Sequence, residues 1–296
     1  MADLEVIDAH CHVTRSKEHG IEYYTYWMLQ LTMGYIPIRP NPPCYGTVAE
    51  LLRQMRETGV VHTNFLNFTW SGLYYRNGLY MLSDKPSRRA KAEKELKARI
   101  IERIKENNEW ALSSVRENKN LSFFCGIDPV LMNEETLIGE IADKTKRGAL
   151  GVKMIPWDVG IEGNDRRWWP VYEYCQSKDI PIFTQADGHG VPGHPQFFAE
   201  VLKEFPRLKL IFAHLGMDPN FGKGADAVVV ELAGKYENVY TDASQRLLDV
   251  GGGQTGKISA EDLVAHLRRI GIDRVLYGTN YPTIEYRRYM LHPVPQ

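Results

Sequence analysis

The stretch Val6-Ile7-Asp8-Ala9-His10-Cys11-His12 sets the reading of the whole chain. A short apolar run leads into two histidines one residue apart, and on a β-strand alternate side chains share a face. The spacing predicts a first strand, Val6–His12, with His10 and His12 projecting to the same side. Two neutral imidazoles so placed suit a divalent ion, because each offers one nitrogen lone pair. A bare His-x-His pair is a weak signal, so the pattern around it has to decide.

Working outward, seven further apolar runs follow. Val60–Phe68, Leu121–Ile127, Leu150–Ile155, Ile180–Ala186, Leu208–His214, Asn238–Ala243 and Arg274–Thr279 read as strands two to eight. Helical patterns lie between most of them. Thr47–Thr58 places Leu51, Leu52 and Met55 on one face, and Pro86–Glu117 is long and charged. Asn133 caps a helix reaching Arg147, and Ser259 caps Ala260–Ile270. Arg166–Lys178, Gln196–Glu204 and Gly224–Lys235 complete the set. Strands alternating with helices imply right-handed crossovers and a parallel sheet, and eight of them imply a closed (β/α)8 TIM barrel. An open doubly wound sheet would carry a glycine-rich first turn for a nucleotide, and none follows strand one. Residues 1–296 therefore read as one domain, with a long excursion, Val13–Gly46, after strand one. Only Thr283–Met290 is left to form a last helix.

Composition narrows the partners. With 296 residues and a formal net charge of −1, the chain offers no bulk electrostatic case for nucleic acid or an anionic membrane. The basic run Lys85–Lys105 is interleaved with Glu93, Glu95 and Glu102 and reads as a solvated helix face. Cys11, Cys44, Cys125 and Cys175 lack CxxC spacing, which suggests neither a zinc ribbon nor a disulfide framework. No apolar run approaches the ~18 residues of a membrane span. Asp3 and Glu5 precede a strand rather than a signal-peptide core, so a cytoplasmic location with reduced thiols is expected.

In such barrels the active site lies at the C-terminal ends of the strands. His10 and His12 end strand one, Lys153 lies in strand four, and Gln185 ends strand five. His214 ends strand six, Asp242 lies near the end of strand seven, and Asn280 follows strand eight. Separate runs thus deliver polar residues to one rim. The excursion adds Tyr23, Tyr24, Tyr26, Trp27, Tyr35 and Tyr45, with Met28 and Met33. These read equally as a wall for an aromatic substrate or as a subunit interface or small second core.

The runs IDAHCH, LGVKMIP, FPRLKLIFAHLG, NVYTDAS and DRVLYGTNYP together resemble the amidohydrolase-related family, the decarboxylase and lactonase branch of the amidohydrolase superfamily. The resemblance spans nearly the whole chain in order. It implies one divalent metal ion, zinc or manganese, usually held by the strand-one His-x-His, a strand-five His and a strand-eight Asp, with the strand-six His assisting proton transfer. Carried over position by position, His10, His12 and His214 match. Gln185 stands where the family has the strand-five His, and Asn280 where it has the strand-eight Asp.

Both departures put a neutral amide in place of an ion-binding or proton-accepting group. Asn280 cannot accept a proton from a bound water, and Gln185 offers only a carbonyl oxygen, a weaker ligand for zinc than imidazole. A metal here is expected to be single and weakly held, or lost. His189 and His194, in the loop after strand five, could substitute as ligands or bases or could simply face solvent. Lys153 reads as a cationic hand for a substrate carboxylate, or as a barrel lysine paired with an acid. Trp157, Asp158, Arg166 and Arg167 after strand four, with Arg246 after strand seven, are further candidates for substrate binding.

The leading expectation is a metal-assisted hydrolase or non-oxidative decarboxylase of a small carboxylated ring or lactone. In it His10 and His12 are the metal ligands, and His214, Asn280 and Lys153 the catalytic residues. Gln185, His189, Arg246 and Trp157 then bind substrate. The alternatives are a metal-independent lactonase or isomerase, and a degraded barrel acting as a binding or partner subunit. The expected partner is a small-molecule carboxylic acid or lactone, and the chain is expected to form a homo-oligomer.

Overall fold

In the computed structural model, which describes residues 4–32, 41–218, 220–250 and 258–291, the apolar runs pair in chain order into one parallel sheet. The strands are β1 Val6–Cys11, β2 Val60–Leu66, β3 Leu121–Gly126, β4 Gly151–Met154, β5 Ile182–Thr184, β6 Leu210–Phe212, β7 Val239–Asp242 and β8 Val275–Leu276. The α-helices are α1 Lys17–Thr32, α2 Val48–Thr58, α3 Ser71–Tyr80, α4 Pro86–Glu117, α5 Glu134–Arg147 and α6 Pro156–Val159. They continue as α7 Trp169–Ser177, α8 Phe198–Glu204, α9 Ala225–Lys235, α10 Arg246–Asp249, α11 Ala260–Ile270 and α12 Thr283–Leu291. The fold is a (β/α)8 TIM barrel. Closure comes from hydrogen bonds between β1 and the segment that continues β8. Ala9 N–H donates to Tyr277 O at 2.9 Å, and Asn280 N–H donates to His10 O at 2.7 Å.

Strand period two sorts the core into two shells. Val152, Ile182, Leu210 and Val239 stand in register across four strands and pack outward against the helices. The next row, Lys153, Phe183 and Ile211, shares the opposite face with Leu66 and Phe124 and fills the barrel. A lysine in that inward row sits where a TIM barrel normally places branched apolar side chains.

The caps follow the sequence. Asn133 accepts the Thr136 N–H at 2.9 Å, Ser259 accepts the Asp262 N–H at 3.0 Å, and Thr47 with Glu50 forms a capping box. The strands are shorter than their apolar runs. β6 stops at Phe212, and a 3-10 turn, Ala213–Leu215, follows with His214 at φ 60°. The chain leaves the ladder there because the buried Asp242 carboxylate accepts the His214 N–H at 3.0 Å.

Four helices lie where no helical pattern was expected: α1, α3 and the four-residue α6 and α10. The excursion forms α1, whose Tyr23, Tyr24, Trp27 and Met28 pack with Trp70 and Tyr286 in a second apolar cluster over the barrel mouth. Tyr35 and Met33 lie outside the described residues. α3 follows β2, and the buried Asp158 carboxylate accepts the Gly72 and Leu73 N–H groups in its first turn. Among the described residues no helix is long and apolar enough to cross a membrane.

Candidate active site

β1 presents His10 and His12 to one side, as a period of two requires. Their Nε2 atoms stand 3.3 Å apart. The other ring nitrogens are already committed: His12 Nδ1–H donates to Leu66 O at 2.9 Å, and His10 Nδ1–H donates to Asp242 Oδ2 at 3.0 Å. A carbonyl oxygen can only accept, so His12 must carry its proton on Nδ1, and Nε2 is left with a bare lone pair. The carboxylate fixes the same tautomer on His10. Two lone pairs therefore face each other across a gap that a cation would fill. Two nitrogens each about 2.0–2.1 Å from a tetrahedral ion stand about 3.3–3.4 Å apart, which is the separation seen. Carboxylate or carbonyl partners on the far nitrogen are what metal-binding imidazoles usually have.

Asp242 organises the rest. It is fully buried and accepts from His10 Nδ1, from the backbone N–H groups of His214 and Ser244, and from the Ser244 hydroxyl. With its hydrogen spent on Asp242, Ser244 Oγ accepts from His214 Nδ1–H at 2.7 Å. The His214 Nε2 is thereby also a lone pair. Burial, as the leading cause, holds all three histidines well below the usual imidazole range, hence neutral. His10, His214 and Asp242 also bring one ligand atom each within 4.8 Å of one another. Since the mutual hydrogen bonds occupy that triplet, the His10–His12 edge is the better cation position.

Asn280 follows β8 at φ 55°, a left-handed conformation that asparagine tolerates better than most residues. Its Oδ1 is buried without a hydrogen-bond partner. The fit to one divalent ion rests on two imidazole nitrogens and this unpartnered amide oxygen. Among the described residues no carboxylate, cysteine or third imidazole brings a ligand atom within 4.8 Å of both. The donor set fits a single, weakly held ion better than a closed zinc site.

Over this centre opens a cavity of ≈ 580 Å³. Tyr23, Trp27, Phe68, Trp70 and Trp157 form its aromatic wall. Its polar lining includes His12, Lys153, Gln185, Asp187, His214 and Asn280. Lys153 is buried and its Nζ has no hydrogen-bond partner. Burial pulls its ammonium down to about 7 against the opposing pull of Asp242 and Asp187. Burial likewise pushes the Asp187 carboxyl up to about 6. Gln185 Nε2–H donates to Asp187 Oδ1 at 3.2 Å, while Oδ2 is sealed from solvent and unpartnered.

The structure gathers most of the expected residues at one place. His12, His214, Asn280, Lys153, Gln185 and Trp157 line the cavity, with His10 directly behind His12. Two do not join them. His189 is exposed and packs its ring on His194, and His194 is spent accepting the Gln196 N–H. Arg246 is buried with its guanidinium committed to the carbonyls of His214, Gly216 and Asp218 and to Asp249, so it braces the β6 turn instead of meeting substrate. Arg166 and Arg167 are exposed and paired with Glu200 and Asp165. The sequence reading missed Asp187 and Arg287. Asp187 lies two residues beyond Gln185, and Arg287 lies four beyond Thr283 on the last helix, a spacing that puts both on one face.

The comparisons agree with this architecture. Among solved structures, an uncharacterized TIM-barrel protein from Bordetella bronchiseptica aligns at 16% identity and TM-score 0.64, covering 99% of this chain and 92% of the other. A 5-carboxyvanillate decarboxylase from Sphingomonas paucimobilis aligns at 15% identity and TM-score 0.60, covering 99% and 94%. Another, from Novosphingobium aromaticivorans, complexed with manganese and 4-hydroxy-3-methoxy-5-nitrobenzoic acid, aligns at 13% identity and TM-score 0.55, covering 99% and 92%. No curated protein matches the chain in sequence. The amidohydrolase family model (Amidohydro_2) matches residues 7–291. A match over nearly the full length, on a barrel whose first strand ends in a histidine pair, places this chain in the amidohydrolase family.

Proposed function

We propose that this chain is a non-oxidative decarboxylase of an aromatic carboxylic acid. The observation that carries the reading is the set of groups on the cavity lining. An unpartnered buried lysine lies there with a carboxyl that burial pushes up to about 6, and the residue after β8 is an amide. Hydrolysis needs a base to take a proton from water, and Asn280 cannot be that base. Decarboxylation needs the reverse, a proton delivered to the carbon that loses CO2.

The Lys153 ammonium meets the substrate carboxylate, and the aromatic wall holds the ring. Asp187 gives its proton to the ring carbon that bears the carboxylate. The bond from that carbon to the carboxylate then breaks, its electron pair restores the ring, CO2 departs, and Asp187 regains a proton from water. The His214 Nε2 lone pair accepts from a substrate hydroxyl. His10, His12 and the Asn280 amide oxygen would hold one divalent ion, which when bound supplies positive charge beside the substrate's oxygens.

The reading is supported by the aromatic wall and by the two decarboxylases among the structural relatives. It is tested by supplying the protein with Mn2+ or Zn2+ and a panel of hydroxybenzoic acids, benzenedicarboxylic acids and lactones. Release of CO2 from one of the acids, with the lactones left intact, is the expected result. Lactone opening without CO2 release would overturn it.

A further inference from the structure

The cavity holds a second cation that the reaction above leaves unused. Arg287 lies on α12 and is 5% exposed. Its Nε has no hydrogen-bond partner, Nη2 reaches only the Met217 sulfur at 3.9 Å, and the guanidinium carbon is 6.0 Å from the Trp27 ring centre. The nearby Asp249 carboxylate is 3.2 Å from Arg246, and the neighbouring Arg288 pairs with Glu285. Thr283, one helical turn earlier on the same face, lines the cavity beside it.

A guanidinium taken out of water is tolerated when its donors are met, and the Arg287 Nε meets no acceptor. Its planar fork suits a carboxylate, which it can hold through two parallel hydrogen bonds. Two cations, Lys153 and Arg287, therefore line one cavity. The carboxylate that shares it, Asp187, has one oxygen engaged by Gln185. A ligand with a single acid group would satisfy only one of the two.

We propose that Arg287 anchors a second acid group, so that the cavity takes an aromatic acid with two carboxylates, one at Lys153 and the other at Arg287. This rests on the proposed function for the identity of the cavity as the substrate site, but it needs no turnover. Burial acts on the Arg287 guanidinium in the same sense, pulling it down to about 10, a cost that a bound anion would relieve.

The test is a binding titration of the protein as purified, followed through the fluorescence of Trp27, Trp70 and Trp157. The probes are benzene-1,3- and 1,4-dicarboxylate, benzoate and benzamide. The better dicarboxylate should bind at least about ten-fold tighter than benzoate, and benzamide most weakly. Arg287→Met should weaken the dicarboxylate about thirty-fold and leave benzoate unchanged, with Arg287→Lys in between. The unchanged benzoate affinity also reports that the variant is folded. Equal binding of benzoate and both dicarboxylates, equal losses for both in Arg287→Met, or no binding of any acid would overturn the proposal. If CO2 release fails while the two-carboxylate preference holds, the proposed reaction is wrong and this inference stands. If a monocarboxylate is turned over and Arg287→Met has no effect, the reverse is true.

Discussion

Single side chains carry the chemistry here because the fold leaves them unsatisfied. Lys153 replaces a branched apolar residue in the barrel's inward row, and nothing hydrogen-bonds its amine. Its folded-state value near 7 lies below the ordinary lysine value of 10.5, so between those limits the unfolded chain holds a proton that the folded chain gives up. The lysine therefore costs stability in full below about 7 and progressively less toward pH 10.5. Lys153→Met, close in volume, should raise stability by roughly 2–4 kcal/mol at pH 7 and abolish activity. Urea melts of both proteins at pH 7 and pH 10 check this, and the gain should shrink at the higher pH. Asp187 titrates on the other side of neutrality. Its carboxyl, pushed up to about 6, donates its proton only below that pH, so kcat should fall as pH rises through about 6. Loss of the Lys153 ammonium should instead raise KM as pH passes about 7. Asp187→Asn should cost about 100-fold or more in kcat. A kcat that stays flat from pH 5 to 8 would remove Asp187 as the proton donor.

Elements place those side chains by close approach. β8 contributes only two ladder residues, yet its continuation fixes the site. Thr279 donates through its N–H at 3.0 Å and its hydroxyl at 2.6 Å to Asp8, tying the last strand to the first. Gly278 leaves room for β1, since a Cβ there would lie 2.7 Å from His10 Cβ and 3.2 Å from Ser244 Cβ. Gly278→Ala should push His10 off its Asp242 partner, destabilise the protein by about 1–3 kcal/mol and weaken divalent-ion binding. Calorimetric titration with Zn2+ alongside a thermal melt separates the two effects. A variant that binds the ion unchanged would mean that His10 is not set by this contact. Elements were legible in the sequence wherever apolar period and caps agreed. The eight strands, the long α4 and the caps at Asn133 and Ser259 all stood out on that basis. α1 and α3 were not: Tyr23, Tyr24, Trp27 and Met28 of α1 do follow a helical spacing but read only as a wall, an interface or a second core, and the buried residues of α3, Ser71 and Gly72, give no apolar stripe. The rim positions of His10, His12, His214 and Asn280 followed from where strands end. Asp187 and Arg287 could not be read that way, since their exposure and missing partners are properties of the assembled cavity.

Across the whole molecule, the buried titratable groups set how folding responds to acid. Burial, as the leading cause, holds His10, His12 and His214 well below the usual imidazole range, pulls His19 down to about 4 and lowers His194 as well. His10, His12, His214 and His19 are neutral when folded and protonated when unfolded below about 6.5, so each makes folding less favourable as pH falls, and His194 acts in the same direction. Asp8 and Asp187, pushed up to about 6, and Asp158, pushed up to about 7, act in the opposite sense. These carboxyls keep protons in the folded state that the unfolded chain has released, and so favour folding on the acid side. Near pH 5.5 these four histidines oppose three carboxyls, leaving the unfolded state with an excess of about one proton. Stability should therefore fall by roughly 1–2 kcal/mol as pH drops from 6.5 to 5.5. Urea midpoints taken across that range measure it directly, with an unchanged m-value showing that the transition itself is the same. His12→Gln should flatten the slope by about one proton, because it removes one imidazole and leaves the Asp8 and Asp187 contributions in place. A slope of the opposite sign would mean that the carboxyls outweigh the histidines, and that the lone pairs at the His10–His12 edge are already shared with a proton in the folded state.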